Sequence, residues 1–281
     1  MGSYTLRDKY FQARIQQELR NTLISEAVFR VDRAEPLKRI QNPYLTGVAA
    51  AIQAVAGTYT PATRTTNEDA LTVTEESVVG THIFDFERRT SNFDLTAAFL
   101  DDIAYQVAYK IEYYTLNKIL DDATTTYSTP AGGFTAANTP VIVTNLLGKI
   151  AGYQGVSLNQ TFLVIENTDL AGFMQAQTGL GFNYSDSVLN NGFIRNFLGV
   201  DVYVVRTGTF ATATIGTLTA VNSGHRLFGP KGVATYASPA SFVYEEKGVT
   251  GKTGMEIAGV GYCGAKAWAP VAALFVDITL A

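Results

Sequence analysis

The stretch from Asn92 to Asp122 contains neither Gly nor Pro and reads as one long helix. Leu95, Phe99, Leu100, Ile103, Ala104, Val107, Ile111 and Tyr114 recur at three- and four-residue steps and so share a face. Asp101, Asp102, Gln106, Lys110, Glu112 and Lys118 fall largely between them, which predicts one buried side and one wet side. Asn92 or Asp94 supplies an N-cap. At 1.5 Å per residue such a rod exceeds roughly 40 Å, far more than the three turns of an ordinary globular helix. It is a spine, and other elements must lie along it.

With 281 residues, 47% of them hydrophobic, the chain has the means to bury a large core as one large domain or two smaller ones. Only 16% of residues are charged, against about 25% in a typical soluble chain. With 15 Tyr and 16 Phe, that is the composition of a surface covered by other subunits, because interfaces favour aromatics and deplete Lys and Glu. A net charge of −4 argues against a dedicated nucleic-acid binder, which needs a basic footprint. The charge is uneven: Arg7, Lys9, Arg14, Arg20, Arg30, Arg33, Lys38 and Arg39 lie in the first forty residues, a pattern that reads equally as a basic arm or as a solvated helix of mixed charge. One cysteine, Cys263, excludes an internal disulfide and fits a reducing compartment. No secretory signal opens the chain and no apolar run reaches the roughly 20 residues of a membrane span, so a soluble, cytoplasmic protein is expected.

In chain order, Tyr4 to Asn21 predicts a first helix with a narrow stripe at Phe11, Ile15 and Leu19. From Gly57 to Arg89 the sequence turns Thr-rich and alternating, which predicts an antiparallel hairpin or small meander that projects and finds support on a partner. Thr124 to Thr139 reads as a low-complexity linker. Beyond it come a helix over Asn145 to Tyr153, a buried strand over Thr161 to Glu166, a helix over Asp169 to Gln177 and a glycine-rich loop from Gly179 to Gly192. Strands are expected at Val200 to Val205, Leu227 to Ala237, Ser241 to Glu246, Met255 to Gly264 and Ala272 to Leu280.

Patterns that look chemical fail on context. Gly259, Gly261 and Gly264 spell G-x-G-x-x-G, but too little chain follows for the helix, second strand and acid of a dinucleotide site; a glycine-rich strand with close backbone approach fits better. Gly251, Lys252 and Thr253 resemble the end of a P-loop, yet Glu246 stands where its first glycine belongs. His82 and His225 are the only histidines, far apart and without ligand spacing to Cys263, so both read as structural. The adjacent acid pairs Glu68/Asp69, Glu75/Glu76, Asp101/Asp102 and Asp121/Asp122 diverge on a strand or helix. Glu166, Asp169, Asp186, Arg195 and Asp201 read as scattered. No catalytic residue, metal ligand or cofactor is expected.

A polar hairpin, a spine helix and an α/β lobe without a catalytic set describe a chain that contacts copies of itself. The order of these elements, with Gly192 to Val202 as a glycine-plus-strand segment and the strands after Leu227-Phe228-Gly229 as a return, resembles the major capsid proteins of tailed bacteriophages, the Hong Kong 97-like fold. The resemblance implies an α+β chain with residues 1–56 as N-terminal arm and lead-in, 57–91 as extended hairpin loop, 92–139 as spine helix and linker of a peripheral domain, 140–222 as axial domain, and 223–281 as return strands of both domains. It implies a coat protein forming an icosahedral shell round double-stranded DNA, as hexamers and pentamers of itself, assembled in the host cytoplasm and located in the virion capsid. Separate scaffolding and portal proteins are implied partners, DNA is contacted weakly if at all, and no membrane is involved. Arg64, Arg88 and Arg89 against Glu68, Asp69, Glu75 and Glu76 would give the hairpin charged partners across subunit boundaries. Gly57 to Arg89 contains no lysine, so the lysine–asparagine crosslink of some relatives is not expected. Two rivals stand beside this reading: an encapsulin-like bacterial nanocompartment shell, which shares the fold, and an unrecognised α+β enzyme.

Overall fold

A computed structural model describes residues 23–33, 39–46, 65–85, 95–153, 157–179, 193–238, 242–247 and 253–281. The expected first helix, the caps at Asn92 and Asp94, the Gly179 to Gly192 loop beyond its first residue, and Gly251 and Lys252 lie outside them. Chain order gives a short helix α1 (Ile24–Val28), strands β1 (Arg30–Asp32), β2 (Arg39–Thr46), β3 (Thr65–Thr72) and β4 (Glu75–Phe84), and the spine α2 (Leu95–Asp122). Then come β5 (Thr125–Ser128), α3 (Asn138–Ala151), β6 (Thr161–Glu166), α4 (Leu170–Gly179), β7 (Phe193–Phe197) and β8 (Val200–Val205). The remainder is β9 (Thr212–Ile215), β10 (Leu218–Val221), β11 (His225–Pro230), β12 (Thr235–Ala237), β13 (Phe242–Lys247), β14 (Gly254–Lys266) and β15 (Val276–Thr279).

A six-stranded mixed sheet runs β5-β15-β11-β6-β8-β7. Every residue of β6 is buried, as a continuous apolar run in a strand covered on both faces should be. Its alternate side chains divide between two cores. Phe162 and Val164 pack with Val107, Ile111 and Leu116 of the spine, while Leu163 and Ile165 pack with Ile142 and Leu146 of α3 and Phe173 of α4. The spine's other side is covered by a second sheet in which β14 pairs with β12, β13 and β4. Met255, Ile257 and Cys263 of β14 point into that core.

The G-x-G-x-x-G glycines lie inside strand β14, with no α-helix following. Gly264 shows why glycine is needed there: a Cβ would stand 3.2 Å from Val73 Cγ2 and 3.4 Å from Leu71 Cδ1.

Three expectations are corrected. The hairpin drawn within Gly57 to Arg89 does not form between its own strands: β3 pairs antiparallel with β2 over eight residues, and β4 pairs with β14. The apolar residues of β4, which suit a half-buried sheet, place it over the spine, where Ile83 is buried; β3 keeps only Leu71 buried. The supposed linker Thr124 to Thr139 contains β5, whose β-branched threonines and tyrosine add a parallel strand beside β15, and α3 begins seven residues before the expected Asn145, with Pro140 tolerated in its first turn. The spine is two-sided only in its first half. From Ile111 to Leu120 only Tyr113 and Lys118 are even partly exposed, because β14, β10 and α1 surround that half.

The hairpin of β9 and β10 was not anticipated, although Thr212 to Val221 alternates about a two-residue turn that opens with glycine. Its turn, Gly216-Thr217, is clasped by Glu75 of β4, whose carboxylate accepts from Thr217 N at 3.3 Å and Thr217 Oγ1 at 2.5 Å. Gly216 has φ +60° and an added Cβ would lie 1.8 Å from Glu75 Oε2. Gly216→Ala should therefore cost about 2 kcal/mol of stability, read as a lower urea midpoint at unchanged m-value.

Candidate functional site

Sequence reading treated Glu166 and Asp169 as scattered, and the fold brings them together. β6 ends at Glu166, the following turn carries Asp169, and β11 delivers Arg226 between them. Arg226 Nε donates to Asp169 Oδ2 at 2.5 Å, Nη2 lies 3.2 Å from Glu166 Oε2, and Nη1 donates to the His225 carbonyl at 2.7 Å. Glu166 Oε1 also accepts from the N–H groups of Gly208 and Phe210 at 2.9 and 3.2 Å, and Asp169 Oδ2 accepts from Glu166 N at 3.2 Å. All three side chains are about nine-tenths buried or more. Both carboxylates already accept from several donors, so the cluster is equipped to hold the 206–210 loop against the sheet.

The histidines, Lys231 and Cys263 make no such cluster. His225 Nδ1 pairs with Asp277 Oδ1 at 2.7 Å. His82 rests edge-on against Phe84, ring centroids 4.6 Å apart, and its ring nitrogens are buried without hydrogen-bond partners among the described residues. Lys231 bonds Asp201 and Tyr203, and these contacts outweigh burial and raise its pKa. Burial and the nearby Glu75 push the Cys263 thiol up to about 12, which makes it a poor nucleophile. Among the described residues no group of three or more His, Cys, Asp or Glu is placed to hold a metal ion, and no helix is long and apolar enough to cross a membrane.

The residues expected at subunit boundaries divide. Glu68 is half exposed and meets Arg39 across the β2–β3 ribbon at 3.2 Å, and Glu76 is exposed. Asp69 is spent within the chain: it pairs with Lys266 and accepts from Ala269 N at 2.9 Å, which anchors the ribbon's root. Glu75, 8% exposed, is the clasp on the β9–β10 turn. Arg64, Arg88 and Arg89 lie outside the described residues. Asp69 and Glu75 fall in phase with Leu71 and Val73, the apolar face of the alternation, which was a legible sign of burial, while their partners come only from the tertiary structure.

Sequence reading also put Glu112 on the wet side of the spine. It is 8% exposed. Its Oε2 accepts from Ser25 N at 3.2 Å, so it caps α1 from a distance of 87 residues, at a helix start where no local side chain does so. Burial raises its pKa from 4.5 to about 7, with Glu26 adding to the effect against the opposing hydrogen bonds. The i, i+3, i+4, i+7 spacing of Tyr105, Ala108, Tyr109 and Glu112 was a legible sign that all four share one stripe.

The β2–β3 ribbon is the described element least able to stand alone. It forms a two-stranded sheet of its own, and from Thr65 to Ala70 no residue is buried; among the described residues its root is tied to the body by Leu71, packed with Ala237 and Trp268, and by the Asp69 contacts. A sheet between helices and a spine, a second sheet behind the spine and a free ribbon together match solved shell proteins over nearly the whole chain. The capsid of cyanophage P-SCSP1u superposes with a TM-score of 0.69 at 12% identity, covering 93% of this chain and 89% of that one. The fold is the Hong Kong 97-like capsid fold. Mycobacterium phage Che8 shares it at TM-score 0.64 and 14% identity over 88% of both chains. The virus-like particle of Pyrococcus furiosus shares it at 0.61 and 8% identity, over 98% of this chain and 100% of that one. No family model and no curated protein sequence matches. The likeness is therefore carried by the Hong Kong 97-like fold and not by side-chain identity.

Proposed function

We propose that the chain is the major capsid protein of a tailed bacteriophage, a structural subunit that assembles with copies of itself into the icosahedral shell round double-stranded DNA. The near-complete superposition on a phage capsid subunit carries this reading. The acid–arginine cluster, closed on itself, supports a structural role over a catalytic one. The Pyrococcus furiosus particle has the same fold at a lower TM-score and gives no ground for preferring a cargo compartment. On this reading the sheet with α3 and α4 is the axial domain, the spine with the β14 sheet is the peripheral domain, and the β2–β3 ribbon takes the role first assigned to 57–91. Hexamers and pentamers, separate scaffolding and portal proteins, and assembly in the host cytoplasm belong to the same proposal.

The ribbon is the part to remove. Replacing residues 41–68 with a short glycine linker takes no described residue from the two large cores and keeps Asp69, Ala70 and Leu71 at the root, so the subunit should fold with nearly unchanged stability while losing shell formation. Electron microscopy and size-exclusion chromatography of the full chain, alone and with a scaffolding protein, should show closed shells or hexamers and pentamers. A monomer or small dimer under both conditions would overturn the reading.

A further inference from the structure

Beside the capped helix start lies a cavity of about 210 Å³ that the shell reading does not use. One wall is the spine stripe Tyr105, Ala108, Tyr109 and Glu112; the other is Val204 and Val205 at the end of β8 with Arg206 and Thr209 just beyond it, and Leu23 and Ile24 complete it. Tyr105 is 48% exposed and Glu112 8%, so the carboxylate lies at the buried end of the stripe and a tyrosine at the mouth.

Only one oxygen of that carboxylate is engaged at full strength. Oε2 takes the Ser25 N–H, while Oε1 is buried with no hydrogen-bond partner among the described residues. No Lys, Arg or His among the described residues forms an ion pair with Glu112. Of the charged groups nearby, Glu26 of α1 pairs with Arg33, Lys110 stacks over the Tyr109 ring at 5.8 Å from its centroid, and Arg206, which lines the cavity, is held over the same ring at 5.6 Å and makes no ion pair with Glu112. A buried, unsatisfied acceptor of this kind is costly unless something donates to it.

We infer that this cavity binds a primary alkylammonium group, whose nitrogen donates to Glu112 Oε1 while its methylene stem lies along Ala108, Val204 and Val205. The aliphatic walls suit a stem that buries its carbons and keeps a charged head, and the tyrosine at the mouth attracts a cation to its ring face. A guanidinium is the poorer fit, because its planar fork seeks two carboxylate oxygens and Oε2 is already taken; a compact ammonium needs one. The group comes either from a free diamine or from a lysine side chain of another copy. The second source rests on the shell reading; the first does not.

Unassembled subunits titrated calorimetrically with 1,4-diaminobutane should bind one equivalent saturably, and 1,4-butanediol should not bind. Glu112→Gln should weaken the diamine at least tenfold, and Tyr105→Ala, at an exposed mouth position, several-fold. Circular dichroism melts of both variants check that they fold. Affinity should rise from pH 6 to pH 8 as Glu112 ionises. In assembled shells, carbodiimide coupling with peptide mass mapping identifies a lysine source as a Glu112–lysine amide. Saturable diamine binding lost in Glu112→Gln, or that amide, supports the inference. Failure of both, or binding equal in wild type and Glu112→Gln, overturns it. Shells that form normally with no Glu112 partner refute this cavity alone, whereas subunits that bind diamine but never assemble refute the shell reading alone.

Discussion

Arg226→Leu should lower the stability of the subunit by about 3–5 kcal/mol, the largest loss expected of any single substitution here. The guanidinium is 3% exposed and supplies charge to Glu166 and Asp169, which are themselves about nine-tenths buried. Removing it leaves two carboxylates in apolar surroundings with only backbone donors to Glu166 and none but Glu166 N to Asp169. Leucine approximates the stem but offers neither charge nor donor. The 206–210 loop, held by Glu166 through Gly208 and Phe210, should loosen with it. Urea unfolding at pH 7 measures the loss, and amide exchange at Gly208 and Phe210 localises it. Arg226→Lys, with a single charge and no fork, should recover only part. A loss under 1 kcal/mol would show that the cluster is not the clamp its geometry describes.

Glu112→Gln should change how stability depends on pH. The folded-state pKa of Glu112 is about 7 against an ordinary 4.5. Below about pH 4.5 the carboxyl is neutral in both states and costs nothing. Between 4.5 and about 7 the unfolded chain gives up its proton first, so stability falls as pH rises, and above about 7 the whole penalty is present. At roughly 1.4 kcal/mol per pH unit, that penalty is about 3 kcal/mol. Glutamine keeps an oxygen for Ser25 N and cannot ionise, so the difference between variant and wild type should be small at pH 4.5 and grow in the variant's favour to about 2–3 kcal/mol at pH 8. Urea unfolding of unassembled subunits at a series of pH values measures this; a difference that does not vary with pH would contradict it. Addition of a diamine that pairs with Glu112 should restore wild-type stability at pH 8 and leave Glu112→Gln unaffected.

Where a segment's own pattern carried its structure, the sequence was enough. The apolar steps along Leu95 to Asp122, the unbroken run Thr161 to Glu166 and the β-branched Val200 to Val205 form the elements their periodicity demands, because helix and strand periods are properties of the backbone. The order of those elements was also legible, and with it the α+β class and the likeness to capsid subunits. Which strand pairs with which was not. β3 and β4 are separated by Val73 and Thr74 and each alternates, so nothing local distinguishes pairing with one another from pairing with β2 and β14, residues far away in the chain. The fates of single charges were likewise decided only in three dimensions. Glu112 stands in the spine among residues that do face water, yet α1 folds over it; Glu166 and Asp169 gain their meaning only when β11 brings Arg226 across from 57 residues beyond Asp169. Periodicity fixes what each segment becomes, because it depends on neighbours in sequence, whereas burial of a polar group depends on which distant segment covers it, and only the tertiary structure supplies that segment.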